Sequence, residues 1–203
     1  MKKICILNYG SGNVGSIKNL LDYLGHNAII SNNKEDIRNS SHIILPGVGS
    51  FGSSVNKIKE NIPLNVLENE IKNHGKPILG ICVGMQVMAE IGYENGKENG
   101  LGWINGCVRK LNSGNLPLPH IGWNNIKKNR DNALIDELYD IDDFYFLHSY
   151  FFELEEKYVV SETNYYSNFC SIMNYKNIYG VQFHPEKSQK AGQKLINNFV
   201  NLK

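Results

Sequence analysis

Cys82 stands in Gly80-Ile81-Cys82-Val83-Gly84, after the apolar run Pro77-Ile78-Leu79 and before Met85-Gln86. This is the pattern of a nucleophile elbow with sulfur in place of oxygen. Glycines on both sides permit a sharp turn in which a Cβ would strike the neighbouring chain. A helical start after the cysteine, carrying Met85, Val87 and Met88, would place the thiol at a helix N-terminus, which favours thiolate. It would also aim the Val83 N–H at a developing oxyanion. An isolated cysteine is usually an inert core residue; the paired glycines favour catalysis.

A nucleophilic thiol needs a base, and the base needs an orienting group. Tyr179-Gly180-Val181-Gln182-Phe183-His184-Pro185-Glu186 supplies both. In an extended segment residues two apart point the same way, so His184 and Glu186 can face one another. Alone, such a pair would be a surface histidine beside a solvated acid; with Cys82 it completes a Cys–His–Glu set.

Two glycine-rich turns follow other candidate strands. Pro46-Gly47-Val48-Gly49 frees backbone N–H groups to approach a ligand closely. Gly10-Ser11-Gly12-Asn13-Val14-Gly15 fits a dinucleotide fingerprint, yet Ser31, Asn32 and Asn33 stand where that fingerprint needs an acid. A tight strand-to-helix turn is the better reading, with Asn13 a candidate helix cap.

These loops must sit on a common frame. Apolar runs at 3–8, 27–31, 42–45 and 77–82 alternate with helical spacing over Val14–Leu24, around Phe51, Val55 and Ile58, and through Leu64, Leu67 and Ile71. That rhythm predicts an α/β fold with a central mostly parallel sheet and helices on both faces. Short strand candidates at 102–111, 120–127, 144–152, 158–161, 169–175 and 178–184 predict an antiparallel extension of that sheet. A last helix covers about 188–201, and residues 1–203 read as one domain.

Composition narrows the function. The chain has 203 residues, 41% of them hydrophobic, and a formal net charge of +1, so no broad field attracts nucleic acid or an anionic membrane. It has neither an apolar run long enough to span a bilayer nor a signal-peptide core, and the expectation is a soluble, cytoplasmic protein. Cys5, Cys82, Cys107 and Cys170 are widely spaced without a CxxC, so neither a disulfide framework nor a metal site is expected.

Gly80–Gln86 with His184-Pro185-Glu186 resembles the class I (triad) glutamine amidotransferases. Pro46–Gly49, His120-Ile121-Gly122-Trp123-Asn124, His148-Ser149-Tyr150 and 182–188 are similar to the glutaminase subunits of imidazole glycerol phosphate synthase among them. Val83 stands where that family commonly has Leu, and Glu94 keeps the family spacing within a looser match. The resemblance implies hydrolysis of L-glutamine through a Cys82 thioester, with His184 moving the proton and Glu186 holding the imidazole. Val83 N–H and a peptide N–H within Gly47, Val48 and Gly49 would form the oxyanion hole, that loop being misaligned until a partner binds. Gln86, Glu94, Ser149 and Tyr150 would orient glutamine, although His148, Ser149 and Tyr150 also read as an inward strand with satisfied hydrogen bonds. No cofactor or metal is implied.

Ammonia freed into water at neutral pH is protonated and stops being a nucleophile, so a chain that only makes it needs a partner over its site. The resemblance names the cyclase subunit HisF, a (β/α)8 barrel, in a heterodimer that makes imidazole glycerol phosphate and AICAR. Asn13, Trp123, Tyr145 and Lys187 match family positions near that interface; their plainer readings are a cap, core aromatics and a solvated lysine. The same residues would serve a paralogue supplying ammonia to a sugar-modifying enzyme.

Overall fold

The computed structural model describes residues 2–140 and 142–202. Four short apolar segments build the centre: β1 (Lys3–Leu7), β2 (Asn27–Ser31), β3 (His42–Leu45) and β4 (Ile78–Ile81). Every residue of β3 and β4 is buried, as expected of parallel strands covered on both faces. The connecting helices are α1 (Val14–Tyr23), α2 (Lys34–Asn39), α3 (Phe51–Asn61) and α4 (Leu64–Lys72).

Within the eight-stranded sheet the order is β2-β1-β3-β4, and these strands are mutually parallel. The chain steps one way from β1 to β2 and the other way from β2 onward. Right-handed crossovers therefore set α1 on one face and α2, α3 and α4 on the other.

After β4 come a single helical turn, α5 (Val83–Gln86), and then β5 (Ala89–Gly92), β6 (Glu98–Asn99) and β7 (Ile104–Lys110). The helical spacing of Met85, Val87 and Met88 predicts a longer helix than this. Instead, the carbonyls of Val87, Met88 and Ala89 accept from the N–H groups of Leu101, Trp103 and Gly102 at 2.8, 2.9 and 3.0 Å. Those long-range bonds replace the helical ladder.

The remaining strands are β8 (His120–Asn125), β9 (Lys127–Lys128), β10 (Asp143–His148), β11 (Tyr150–Leu154), β12 (Val159–Tyr165), β13 (Ser167–Tyr175) and β14 (Ile178–Val181), and α6 (Gln189–Asn201) closes the chain. β14 lies parallel beside β4, and β13, β12 and β9 add antiparallel strands to the same sheet. The expected single extension is thus only partly realised. β8 and β10 pair separately, and β11, β7, β5 and β6 form a four-stranded sheet. The run at 144–152 is two strands broken at Ser149, each half pairing with a different sheet.

α6 lies on the α1 side, where the His26 ring bonds Asn197 at 2.6 Å. β1, β3, β4 and β14 all end at one edge, so the loops that follow them, at 8–13, 46–50, 82 and 182–186, gather there. Open α/β sheets bind ligands at this edge.

Candidate active site

The elbow is built as its glycines require. Cys82 has φ 53° and ψ −113°, a left-handed conformation that a non-glycine residue holds only when its surroundings impose it. A Cβ on Gly80 would lie 2.7 Å from Gly84 O and Met85 N, and one on Gly84 would lie 2.0 Å from Leu45 O. Cys82 N–H donates to Val181 O at 2.7 Å, fastening the bend to β14. Val83 N–H opens the turn, where no helical carbonyl precedes it to accept its hydrogen. Because α5 is only four residues long, its dipole is small.

His184 lies beyond the end of β14. The extended run expected through 184 stops at Val181, because Pro185–Lys187 coils into a 3-10 turn. The pairing with Glu186 forms all the same, through that turn rather than through strand alternation: His184 Nδ1 meets Glu186 Oε1 at 2.9 Å, both side chains being buried. Tyr145 O accepts from His184 N–H at 2.9 Å, and Ser188 Oγ donates to His184 O at 2.6 Å, so His184 is fixed from its backbone as well. Asn13 heads α1 without any side-chain capping bond. Its amide instead donates to Glu186 Oε1 at 3.3 Å.

Burial pushes the His184 imidazole down, but its interaction with Cys82 and the hydrogen bond and charge of Glu186 outweigh it and raise it to about 10. Nε2 makes no hydrogen bond of ordinary geometry. The contact with Glu186 is therefore the formed one, and His184 and Cys82 line the same cavity.

That cavity has a volume of about 250 Å³. Cys82, Val83 and His184 line it, joined by Gln86, Glu94, Ser149 and Tyr150 and, from the glycine-rich loop, by Val48 and Gly49. Gly47 lies behind, against the elbow: a Cβ there would come within 2.2 Å of Gly84 N. Glu94 Oε2 accepts from Phe51 N–H at the head of α3, 2.6 Å away. Ser149 is the bend between β10 and β11, and Tyr150 opens β11. His148 answers to the plainer reading, since its ring bonds Tyr150 O at 3.0 Å and His120 Nδ1 at 3.1 Å.

Sequence reasoning passed over three groups. Tyr9 OH donates to Pro46 O at 2.7 Å and Ser11 Oγ to Val48 O at 2.8 Å, so the turn at 9–13 braces the Pro46–Gly49 loop. Gly10 and Gly12 have φ of 82° and 95°, which accounts for the glycine pattern there. The third is Gln182, whose amide reaches Cys82 Sγ at 3.7 Å. The signal for it was a lone polar residue between apolar Val181 and Phe183.

The four residues expected near a partner fall around the mouth of the site. Trp123 and Tyr145 pair across β8 and β10, their ring centroids 6.0 Å apart, and Lys187 Nζ sits 5.4 Å over the Tyr145 ring. Trp123 is 47% exposed, not a core aromatic. Asn13 and Lys187 line a neighbouring hollow with Gly12, Val48, Leu147 and His184. Among the described residues no cluster of three or more His, Cys, Asp or Glu is placed to hold a metal, and no helix is long and apolar enough to cross a membrane.

The model of the family "Glutamine amidotransferase class-I" matches residues 5–202. The chain is 44% identical over 199 residues to imidazole glycerol phosphate synthase subunit HisH 2 of Methanococcus maripaludis, covering 97% of this chain and 98% of that protein. It is also 44% identical to subunit HisH of Leptospira borgpetersenii, over 98% of this chain and all of that one. Among solved structures, a chain of PurLQS from Thermotoga maritima superposes with a TM-score of 0.75 at 18% identity, covering 98% of both chains. A glutamine amidotransferase of the same organism gives 0.66 at 17% identity, covering 98% of this chain and 82% of that one. The full-length match and the two relatives establish that the chain belongs to the class-I glutamine amidotransferases, and within them to the HisH subunits of imidazole glycerol phosphate synthase.

Proposed function

We propose that this chain hydrolyses L-glutamine to glutamate and ammonia through a thioester on Cys82, and that the ammonia passes to a docked cyclase subunit. That cyclase would use it to make imidazole glycerol phosphate and AICAR, as the names of the relatives suggest. The observation that carries the reading is the convergence of Cys82, His184 and four polar residues, drawn from four separate segments of the chain, on one small cavity.

The steps follow from the groups in place. His184 is protonated at neutral pH because its value is raised to about 10, and the nucleophilic form of Cys82 is the thiolate. The sulfur attacks the side-chain carboxamide carbon of glutamine, and the carbonyl oxygen takes the charge. Val83 N–H and a peptide N–H of the Gly47–Gly49 stretch meet that oxyanion. The His184 imidazolium gives its proton to the departing nitrogen, which leaves as ammonia. The neutral imidazole then takes a proton from water, and the resulting hydroxide cleaves the thioester to glutamate, restoring thiolate and imidazolium. Glu186 holds Nδ1 throughout, and Asn13 holds Glu186.

An exposed apolar rim supports docking of the cyclase at this edge. Ile121 and Leu147 sit opposite one another across β8 and β10, and with Val48 and Trp123 they present large apolar side chains around the mouth. Apolar surface gathered beside a catalytic opening marks an interaction site.

Cys82→Ala tests the reading. Glutamine-dependent synthesis by the complex should vanish, while synthesis from added ammonium salt continues. Loss of both would make Cys82 a structural residue and overturn the assignment. A paralogue serving a sugar-modifying enzyme would give glutaminase activity that the cyclase leaves unchanged.

A further inference from the structure

We infer that Gln182 is a further catalytic residue: its carboxamide, locked in one orientation, donates an N–H to the Cys82 sulfur and stabilises the attacking thiolate. The inference rests on the nucleophilic role proposed for Cys82.

Gln182 is fully buried, as are Val181 and Phe183 on either side. A primary amide in such surroundings must find partners, and both its ends do. Its Oε1 accepts from Gln86 Nε2 at 3.0 Å, and its Nε2 points to Cys82 Sγ at 3.7 Å. The backbone settles which end is which. Tyr150 O can only accept, and Gln86 turns Nε2 toward it at 2.7 Å. The second hydrogen on that nitrogen faces Gln182, so Gln182 must present oxygen to Gln86 and N–H to sulfur.

Leu147 O, which can only accept, is a further hydrogen-bond partner of the sulfur at 3.8 Å. A protonated thiol donates to Leu147 O, whereas a thiolate has nothing to give and gains from Gln182. Gln182 therefore favours the charged form. His184 contributes charge to the same end, and Gln182 contributes a fixed dipole that needs no proton.

The relay also reaches the substrate side. Both hydrogens of Gln86 Nε2 are engaged within the protein, which leaves Oε1 as the unused polar atom of a residue lining the cavity. A donor on glutamine that bonds this oxygen polarises the chain of amides ending at sulfur.

The test is the pH dependence of Cys82 alkylation by iodoacetamide in the full chain, followed on the peptide that carries Cys82. Wild type is compared with Gln182→Met and Gln182→Glu. Gln182→Met should move the midpoint up by about one pH unit, the size expected for one hydrogen bond to a charged group. Alkylation below the midpoint should slow by roughly tenfold, with the same plateau above it. Gln182→Glu, which keeps the acceptor for Gln86 but faces sulfur with oxygen, should shift at least as far and carries the test alone if the Met variant does not fold. Unmoved midpoints, or a lowered plateau without a shift, would overturn the role and leave the thioester reading intact. A wild-type Cys82 that resists alkylation at every pH would overturn both.

Discussion

Gly47 and Gly84 lie back to back, with the place of a Gly47 Cβ only 2.2 Å from the Gly84 amide nitrogen and 2.7 Å from the Val83 carbonyl carbon. The loop after β3 and the turn after β4 are therefore in contact through bare backbone. The two donors proposed for the oxyanion hole belong to these two segments, so their separation is set by the absence of two side chains.

Gly47→Ala should force the loop off the elbow. Loss of one oxyanion donor costs about 10²–10³-fold in kcat, and glutaminase turnover with the cyclase present should fall by that amount. Ammonium-dependent synthesis should persist, because the cyclase is untouched. Retention of more than a tenth of the glutamine-dependent rate would show that this loop supplies no donor.

Asn13→Ala separates two roles that the sequence could not. A helix cap would lose about 1 kcal/mol of stability on truncation, but Asn13 makes no capping bond and holds Glu186 instead. Thermal unfolding should therefore barely change, while kcat falls about tenfold, the equivalent of one hydrogen bond to a charged group. Calorimetry beside a glutaminase assay reads both quantities, and a destabilised variant with full activity would restore the cap.

The strands at 27–31 and 42–45 are legible to the residue because their apolar runs are continuous and sharply bounded. The elbow is legible because glycines flank a cysteine. The stretch after it is not: Met85, Val87 and Met88 satisfy helical spacing, and the outcome is decided by backbone partners at 101–103. Asn13 and Glu186 are 173 positions apart, and nothing local in either segment announces the bond. Gln182 and Ser11 likewise act through contacts that only the assembled sheet edge creates.

Acid should weaken the fold before the carboxylates titrate. Burial pushes His120 down to about 4 and His148 to about 3, so both remain neutral in the folded protein while the unfolded chain binds protons below about pH 6.5. Stability is whole above that value and falls with pH, by about 1.4 kcal/mol per pH unit per histidine at most. His184 behaves oppositely. Its raised value makes its contribution complete below about 6.5 and lost as pH rises toward 10. Urea midpoints should drop between pH 7 and pH 5; a flat profile over that range would contradict the buried neutral pair.

Trp123→Ala addresses the docking face. The ring is 47% exposed and packs edge-on against Tyr145, which in turn carries Lys187 over its face. Removing it takes nothing from the core, so thermal stability should hold within about 0.5 kcal/mol. A large aromatic at the centre of an interface is a typical hot spot, worth about 2 kcal/mol, which corresponds to roughly 30-fold weaker binding. Titration of the cyclase into the variant should show that loss, and glutaminase activity at subsaturating cyclase should fall with it. Unchanged affinity would move the interface away from β8 and β10, leaving Ile121 and Leu147 without the partner proposed for them.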